Sequence, residues 1–314
     1  MRSFAVAALL GFAAAQSGAL NATLSTTRLS SASSTPLTTS SATLSGLKSV
    51  ITVATDGSGD YTAINAAVKA AQDSSIATVS VLPGTYSESI TVQGQATVTI
   101  VGPTPTNVDD WSENKVTIAA TDTPFKVGTD KAKGVTVRNI NIVNSAAVSA
   151  SANAVVLSLR GSNIAFYGCS VISPGGTAIS ASYGTTFFAN SYIEGSNYLF
   201  YNYPTIYLYK STIVPLTSNA LIVYSKGGQP TGGNFANSTV VFDSSSIQQK
   251  PGYTNNNVFL AAPNAAGAVA IYRNTAMGSL IAPAGVHSTA ATTPSFYGES
   301  VSYTHLTLPT NREV

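Results

Sequence analysis

Short runs of β-branched and other apolar residues recur along most of the chain and are separated by Gly, Asn, Ser or Pro. Within many runs apolar and polar residues alternate, which is the pattern of a half-buried strand. Representative runs are Val79–Leu82, Thr97–Ile100, Val135–Arg138 and Thr205–Leu208. The body of the chain is therefore predicted to be all-β.

A helical period appears once, from Thr62 to Asp73, directly after a turn-forming stretch at 56–59. The apolar residues that share one face of this helix are Ile64, Ala67, Val68 and Ala71. Because an uncovered strand edge pairs with other chains, a strand array needs a cap at its end. We predict that this short helix is the N-terminal cap.

A four-residue step recurs through the body: two small or polar residues, one variable residue, and then an apolar one. Its occurrences are Asn139–Ile142, Gly168–Val171, Asn190–Ile193, Lys210–Ile213, Ser244–Ile247 and Asn274–Met277. The apolar ends are 29, 22, 20, 34 and 30 residues apart, and periods of ~20 to 50 residues are typical of solenoids. Short strands at this period predict a right-handed parallel β-helix. An antiparallel β-sandwich is the alternative from the pattern alone.

Composition divides the chain into four parts. Residues 1–15 carry a basic residue near their start, continue as an apolar stretch and end in small residues. This order is typical of a secretory signal peptide. Residues 16–48 are rich in Ser and Thr and predict a flexible stalk. Residues 49–300 form the predicted β-helix. Residues 301–314 depart from its residue pattern and are interpreted as a non-native tail from sequence assembly, with an ordinary tail as the alternative.

Charge is scarce, since 9% of the 314 residues are Asp, Glu, Lys or Arg and the formal net charge is +2. Without a Lys/Arg cluster, nucleic acid is excluded as a partner. One cysteine, Cys169, and two histidines leave no expected disulfide, metal site or cofactor. No segment after the leader is long enough to span a membrane. We expect a secreted, extracellular monomer with N-glycosylation acceptor patterns at Asn21 and Asn237.

Six stretches of the body resemble the pectin methylesterases (pectinesterases), which are secreted right-handed parallel β-helix enzymes. The stretches are Asp56–Ile64, Gly84–Glu88, Val135–Asn144, Phe166–Cys169, Tyr192–Gly195 and Phe296–Glu299. The resemblance implies methyl-ester hydrolysis of pectin (homogalacturonan), or binding of another cell-wall polysaccharide. The motif Gly84-x-Tyr86-x-Glu88 is expected to be structural, with Glu88 bonded to nearby backbone.

The resemblance also implies where a catalytic centre would lie. The family uses a carboxylate nucleophile, a carboxylic acid, glutamine amides that hold the oxyanion, and an arginine that binds the nucleophile. In this chain the nucleophile falls on Asn197, one residue earlier than usual, and the other positions are Gly176 (acid), Gly175 and Asn153 (oxyanion) and Ala262 (arginine). An amide is a poor nucleophile at an ester, and loss of a nucleophile costs ~10⁶ in turnover. No catalytic residue is therefore expected to be retained.

Two acids near these positions could act as substitutes. Glu194 is three residues from Asn197, and positions three apart on a strand face opposite sides. We therefore expect a structural role for Glu194. Asp243 follows an outward-facing run and is expected to be solvated.

Polar and aromatic residues are candidates for substrate binding. They are Tyr201, Tyr207, Tyr209 and Asn264, the last of which replaces a sugar-stacking tryptophan of the family. Tyr207 and Tyr209 alternate with Ile206 and Leu208, so one of the two pairs should point outward. Outward tyrosines suit stacking on sugar rings, whereas packing under a loop is the alternative.

Three functions stay open from the sequence. The leading hypothesis is a pectinesterase-family protein that has lost catalysis and binds a cell-wall polysaccharide. The first alternative is an active pectinesterase or related carbohydrate esterase that uses relocated groups. The second alternative, suggested by the Ser/Thr-rich stalk, is a structural or adhesive surface protein.

Overall fold

The computed structural model of the protein describes residues 49–74, 76–146, 154–202, 205–225, 238–263, 267–287, 296–300 and 312–313. The predictions for residues 1–48 and for Asn153, Asn237 and Asn264 lie outside these ranges. In chain order the elements are β1 (Val50–Val53), α1 (Ile64–Ser74), β2 (Thr78–Val81), β3 (Gly84–Tyr86), β4 (Ile90–Val92), β5 (Val98–Val101), a 3₁₀ helix (Trp111–Glu113), β6 (Val116–Ala120), β7 (Phe125–Arg138), β8 (Asn141–Asn144), β9 (Leu157–Tyr167), β10 (Ser170–Ser173), β11 (Ile179–Ala189), β12 (Tyr192–Gly195), β13 (Tyr198–Asn202), β14 (Thr205–Tyr209), β15 (Thr212–Pro215), β16 (Leu221–Ser225), β17 (Ser238–Asp243), β18 (Ser246–Ile247), β19 (Phe259–Pro263), β20 (Ala268–Arg273), β21 (Ala276–Met277), β22 (Phe296–Ser300) and β23 (Arg312–Glu313).

The strands wind round one core as a coil with three faces. Face 1 contains β4, the first parts of β7, β9 and β11, and then β13, β16 and β19. Face 2 contains β1, β2, β5, the last parts of β7, β9 and β11, and then β14, β17, β20 and β22. Face 3 contains β3, β6, β8, β10, β12, β15, β18 and β21.

Within the described ranges every strand pair is parallel except β22 with β23. The predicted parallel β-helix is therefore confirmed, and the antiparallel sandwich alternative is wrong. None of the described helices has the length and apolar character that crossing a bilayer requires.

The four-residue step marks the corner between face 2 and face 3. The first residue of each step has a left-handed backbone: Asn139 (φ 56°), Gly168 (59°), Asn190 (49°), Lys210 (47°), Ser244 (51°) and Asn274 (48°). Asn and Gly adopt this conformation at low cost. The corners also stack on one another. The Asn190 amide donates to the Tyr209 carbonyl of the next coil at 3.1 Å, and the equivalent bonds at the other stacked corners are 2.9–3.0 Å long. The repeat in the sequence is thus the signature of a turn.

The second residue of each of the last five steps belongs to a buried ladder inside this corner. Its members are Cys169, Ser191, Ser211, Ser245 and Thr275. The Ser191 hydroxyl accepts from the Cys169 amide at 3.3 Å and donates to the Ala189 carbonyl at 2.9 Å. Ser211 repeats this pattern with the Ser191 amide and the Tyr209 carbonyl. The buried hydroxyls are therefore satisfied by carbonyls of their own coil and amides of the adjacent coil. Burial raises the pKa of the Cys169 thiol to about 12.

Helix α1 covers the N-terminal end of the coil, as predicted. The four residues expected to share its inner face are the four that are buried: Ile64, Ala67, Val68 and Ala71. The Glu88 carboxylate accepts from the backbone amides of Ile64 at 2.7 Å and Asn65 at 3.0 Å. It therefore satisfies orphan donors of the first turn and places negative charge at the positive end of the helix. The buried Tyr86 hydroxyl donates to the Leu82 carbonyl at 3.0 Å.

Replacing Glu88 by Ala should lower the free energy of unfolding by about 1–2 kcal/mol, because two amides of α1 lose their acceptor. Urea denaturation followed by circular dichroism measures the change. Asp73→Ala is the matched control, since Asp73 lies in the same helix in an exposed ion pair with Lys69 and should change stability by less than about 0.5 kcal/mol. Equal effects of the two substitutions would contradict this role of Glu88.

Candidate functional site

Two of the predicted catalytic positions lie in stacked turns that lead into face 1, and a third lies on a strand of that face. Gly176 precedes β11 and Asn197 precedes β13, and the Ser196 amide donates to the Gly176 carbonyl at 3.1 Å. The Leu221 amide donates to the Asn197 carbonyl at 3.0 Å, so that β16 follows directly. Ala262 lies on β19 and pairs with Tyr224 of β16. The structure thus brings these positions to one side of the coil, on different coils.

The position predicted for the family acid has no room for a side chain. Gly176 is buried, and a Cβ built there would lie 2.5 Å from the backbone nitrogen of Ala154 and 2.7 Å from its carbonyl oxygen. Both neighbouring atoms belong to backbone, which cannot rotate away as a flexible side chain can. The adjacent coil therefore occupies the volume where an acid would project.

The other two positions have also changed in character. Ala262 is completely buried, so this position offers no exposed cation. Asn197 is exposed, and without the one-residue shift the nucleophile position would fall on Tyr198, the first residue of β13. Neither Asn197 nor Tyr198 carries a carboxylate.

Three half-buried tyrosines form a cluster on the outer side of face 1. The ring centroid of Tyr198 is 4.5 Å from that of Tyr224 and 6.2 Å from that of Tyr201. Tyr201 and Tyr224 lie on neighbouring strands in register, and their rings stack at 5.6 Å with an interplanar angle of 15°. We call these residues the tyrosine cluster. Sequence reasoning identified Tyr201 but missed the other two, since Tyr224 approaches through strand pairing.

A histidine also approaches face 1. The His287 ring packs edge-on against Phe259 of β19, with centroids 4.7 Å apart. Its amide donates to the Ala261 carbonyl at 2.9 Å, which places His287 on the coil after β19. Within the described ranges the buried Nδ1 of His287 has no hydrogen-bond partner. No sequence pattern pointed to this residue.

Glu194 does not serve face 1, because its carboxylate is engaged on face 3. It is 2% exposed, accepts from the Tyr192 hydroxyl at 2.5 Å and pairs with Lys250 at 2.9 Å. Burial and this hydrogen bond raise the pKa of Tyr192. The indole of Trp111 stacks on Tyr192 at 4.1 Å. Glu194 therefore holds the loop of Lys250 on face 3, and Tyr192 holds the loop of Trp111 there.

The expectation that Asp243 is solvated is wrong. Asp243 is 3% exposed and accepts from the Tyr207 hydroxyl at 2.5 Å and from Arg273 at 2.6 Å. Burial alone would raise its pKa, but the hydrogen bonds from Tyr207, Arg273 and Ser244 outweigh burial and hold the pKa below its usual value. Burial and the same bond raise the pKa of Tyr207 to about 12. Strand register explains the burial, because β14, β17 and β20 lie side by side.

Tyr207 and Tyr209 belong to face 2 rather than face 1. Ile206 and Leu208 are fully buried, whereas Tyr207 is half-buried and Tyr209 is 37% exposed. The tyrosine pair is therefore the outward one. The predicted substrate-binding tyrosines are thus divided, with Tyr201 on face 1 and the other two on the neighbouring face.

The three-faced coil and its stacked corners define this chain as a parallel β-helix protein. A model of the Pectinesterase family matches residues 50–305. The probable pectinesterase A of Neosartorya fischeri is 30% identical over 251 residues, which are 76% of this chain and 75% of that protein. The probable pectinesterase A of Aspergillus niger is 28% identical over 258 residues, which are 79% of this chain and 76% of that protein. The chain belongs to the pectinesterase family.

Solved structures support the fold. The pectin methylesterase from Aspergillus niger in deglycosylated form has a TM-score of 0.68 at 23% identity, covering 82% of this chain and 86% of that chain. The pectin methylesterase from carrot has a TM-score of 0.63 at 20% identity, covering 80% and 82%.

Gly176→Ala should lower the free energy of unfolding by about 3 kcal/mol, because the added methyl group meets backbone atoms of Ala154. Gly128→Ala is the control: it also lies on face 1, but its added Cβ would be 3.5 Å from the flexible Gln93 side chain, and the expected change is under about 0.5 kcal/mol. Urea denaturation of both variants measures the difference. A Gly176→Ala protein as stable as wild type would show that the turn adjusts freely.

Asp243→Asn should lower the free energy of unfolding by about 2 kcal/mol at pH 7, a value reduced because Arg273 is half exposed. Since the folded pKa of Asp243 is depressed, its stabilising contribution is present above the unfolded pKa of about 3.9 and is lost as pH falls through the folded value. The difference between wild type and variant should therefore shrink below about pH 4. Thermal unfolding across pH 3–8 tests this, with Asp73→Asn as control, since Asp73 lies in an exposed ion pair. A difference that does not change with pH would refute the assignment.

Proposed function

We propose that this chain is a secreted pectinesterase-family protein that binds pectin and has lost the hydrolysis of its methyl esters. One observation carries the loss of catalysis. The strand segments of face 1, at 90–92, 125–128, 157–160, 179–181, 198–202, 221–225 and 259–263, contain no Asp or Glu. The family resemblance places the acid and the nucleophile at Gly176 and Asn197, in the turns that lead into β11 and β13, and those turns (174–178 and 196–197) contain no Asp or Glu either.

Chemistry supports the same conclusion. Ester hydrolysis by the family route needs an ionised oxygen to attack the carbonyl and a proton for the departing methoxide. Asn197 and Tyr198 offer neutral groups, and Gly176 offers none. The nearest acid in sequence, Glu194, is held by Tyr192 and Lys250.

The tyrosine cluster supports retained binding. Its three rings lie on adjacent strands and expose part of their surface, and tyrosines offer large contact area at low entropic cost. The segments 198–202 and 221–225 carry no charged residue. A neutral, methyl-esterified galacturonan therefore fits this surface better than a polyanion. A protein of the same fold, a pectin methylesterase at 14% identity with a TM-score of 0.60, is known in complex with a hexasaccharide.

Secretion belongs to this proposal as well. The leader at 1–15 and the Ser/Thr-rich segment at 16–48 support export. Asn21 and Asn237 would then be available as N-glycosylation sites, and Asn264 stays a predicted substrate-binding residue.

The alternative function is that of an active esterase whose catalytic side chains lie at positions other than those of the family. His287 favours this alternative, because its ring reaches Phe259 on the same face and its Nδ1 has no hydrogen-bond partner in the described part of the chain. An imidazole could activate water or a tyrosine hydroxyl without any carboxylate nucleophile.

Methanol release from highly methylated pectin decides between these functions. We expect the full chain to be about 10⁶-fold slower than the Aspergillus niger enzyme, which corresponds to about 8 kcal/mol of barrier. Turnover within ~100-fold of that enzyme would overturn the loss of catalysis. If methanol is released at such a rate, His287→Ala shows whether His287 is responsible, since a catalytic centre at His287 would lose its activity in this variant.

Retention in gels that contain methylated pectin tests the binding. Replacement of Tyr201 and Tyr224 by Ser should weaken retention about tenfold, since each stacked ring contributes about 0.5–1.5 kcal/mol. Tyr253→Ser is the control, because Tyr253 is exposed on the loop before β19. Unretained wild-type protein would favour the structural or adhesive role.

A further inference from the structure

Face 2 carries a row of aromatic side chains on its outer side. The ring centroids of Tyr167 on β9 and Phe187 on β11 are 5.7 Å apart, and those of Phe187 and Tyr207 on β14 are 6.0 Å apart. Tyr209 lies beside Tyr207 on the same strand and is exposed. All four are on strands whose alternate residues fill the core. We call these four residues the aromatic strip.

Cations border the aromatic strip. The Arg138 guanidinium lies 4.1 Å from the centroid of the Tyr167 ring, and the Lys210 ammonium lies 5.4 Å from that of Tyr209. Arg273 lies beyond Tyr207 on β20 with its side chain 51% exposed. These contacts hold three positive charges at the surface of one sheet.

Two acids lie beside the strip and offset part of this positive charge. Asp243 is buried under Arg273 and the Tyr207 hydroxyl. Asp109 reaches the adjacent corner, where it accepts from the Asn190 side chain. With both acids counted against Arg138, Lys210 and Arg273, the described residues of this surface keep a positive balance.

The dimensions suit a linear ligand. From Arg138 on β7 to Arg273 on β20 the sheet crosses five strand spacings, which is about 24 Å at ~4.8 Å per spacing. The aromatic rings lie between these two cations. A chain of sugar rings along the coil axis can therefore stack on more than one ring while its charged groups meet both ends.

We propose that the aromatic strip is a second polysaccharide-binding surface, separate from face 1, and that it takes an acidic chain of uronate units. Stacking on the rings would bind the sugar faces, and Arg138, Lys210 and Arg273 would bind carboxylates. A second copy of this chain fits less well, since two positively charged strips repel each other. A neutral polysaccharide would leave the cations unused.

Affinity electrophoresis of the full chain in gels that contain polygalacturonate tests the proposal. The main variant replaces Tyr167 and Phe187 together by Thr, a residue that favours strands and already occupies outward positions of this face such as Thr136 and Thr185. Retention should weaken at least tenfold. Arg138→Gln should weaken it about threefold and reduce its dependence on salt. Tyr253→Thr, on a loop outside the strip, should leave retention unchanged.

Circular dichroism of each variant verifies that the coil is intact, and Arg138→Gln provides the test if the double variant does not fold. Retention equal to wild type in the folded variants overturns the proposal. So does a wild-type protein that polygalacturonate does not retain at low salt, or that methylated pectin retains through the strip equally well. A dimer in sedimentation that the variants abolish would instead make the strip a subunit interface. The face 1 test uses methylated pectin and tyrosines of β13 and β16, so the failure of either proposal leaves the other standing.

Discussion

Parallel pairing of each coil with the next is the constraint on which the rest of this structure depends. Because the strands pair in register, a residue that suits one coil is repeated by a similar residue about 4.8 Å away on the next coil. The left-handed corner from Asn139 to Asn274 and the buried hydroxyls from Ser191 to Thr275 follow this rule. The hydroxyls bond to backbone of adjacent coils, so their replacement by larger or apolar groups would leave amides unsatisfied. The inner ladders therefore restrict the sequence far more than the outer surface does.

Much of this could be predicted from the sequence, because the repeated features are local. A left-handed turn needs Asn, Gly or a similar residue whatever lies next to it, so the four-residue step was visible before any pairing was known. The inner face of α1 followed from helical period, and the outward direction of Tyr207 and Tyr209 followed from alternation. Each of these features depends on residues within a few positions of one another.

The features that sequence reasoning missed depend on residues brought together by register. Asp243 looked solvated because Tyr207 and Arg273 are 36 and 30 residues away, and the spacing between coils varies from 20 to 34 residues. Tyr224 joins Tyr201 through the pairing of β13 with β16, and His287 reaches Phe259 from the following coil. Without the register, no pattern shows which outward residues share a neighbourhood. The sequence could therefore name candidate residues but could not show which of them lie on the same face.

The same division between inner and outer residues explains how a β-helix can lose a catalytic centre and keep its fold. Inward residues of β13 and β16, such as Leu199, Phe200 and Val223, are fully or almost fully buried and supply the stability of these coils. Outward residues contribute little to that core, so an acid or an arginine on face 1 can be replaced without unfolding the coil. At Gly176, the predicted position of the acid, a side chain has no room, because backbone of the preceding coil fills the space that it would occupy. A carboxylate placed at Asn197 alone would therefore still lack an acid and an arginine, and the family chemistry needs all of them on one surface.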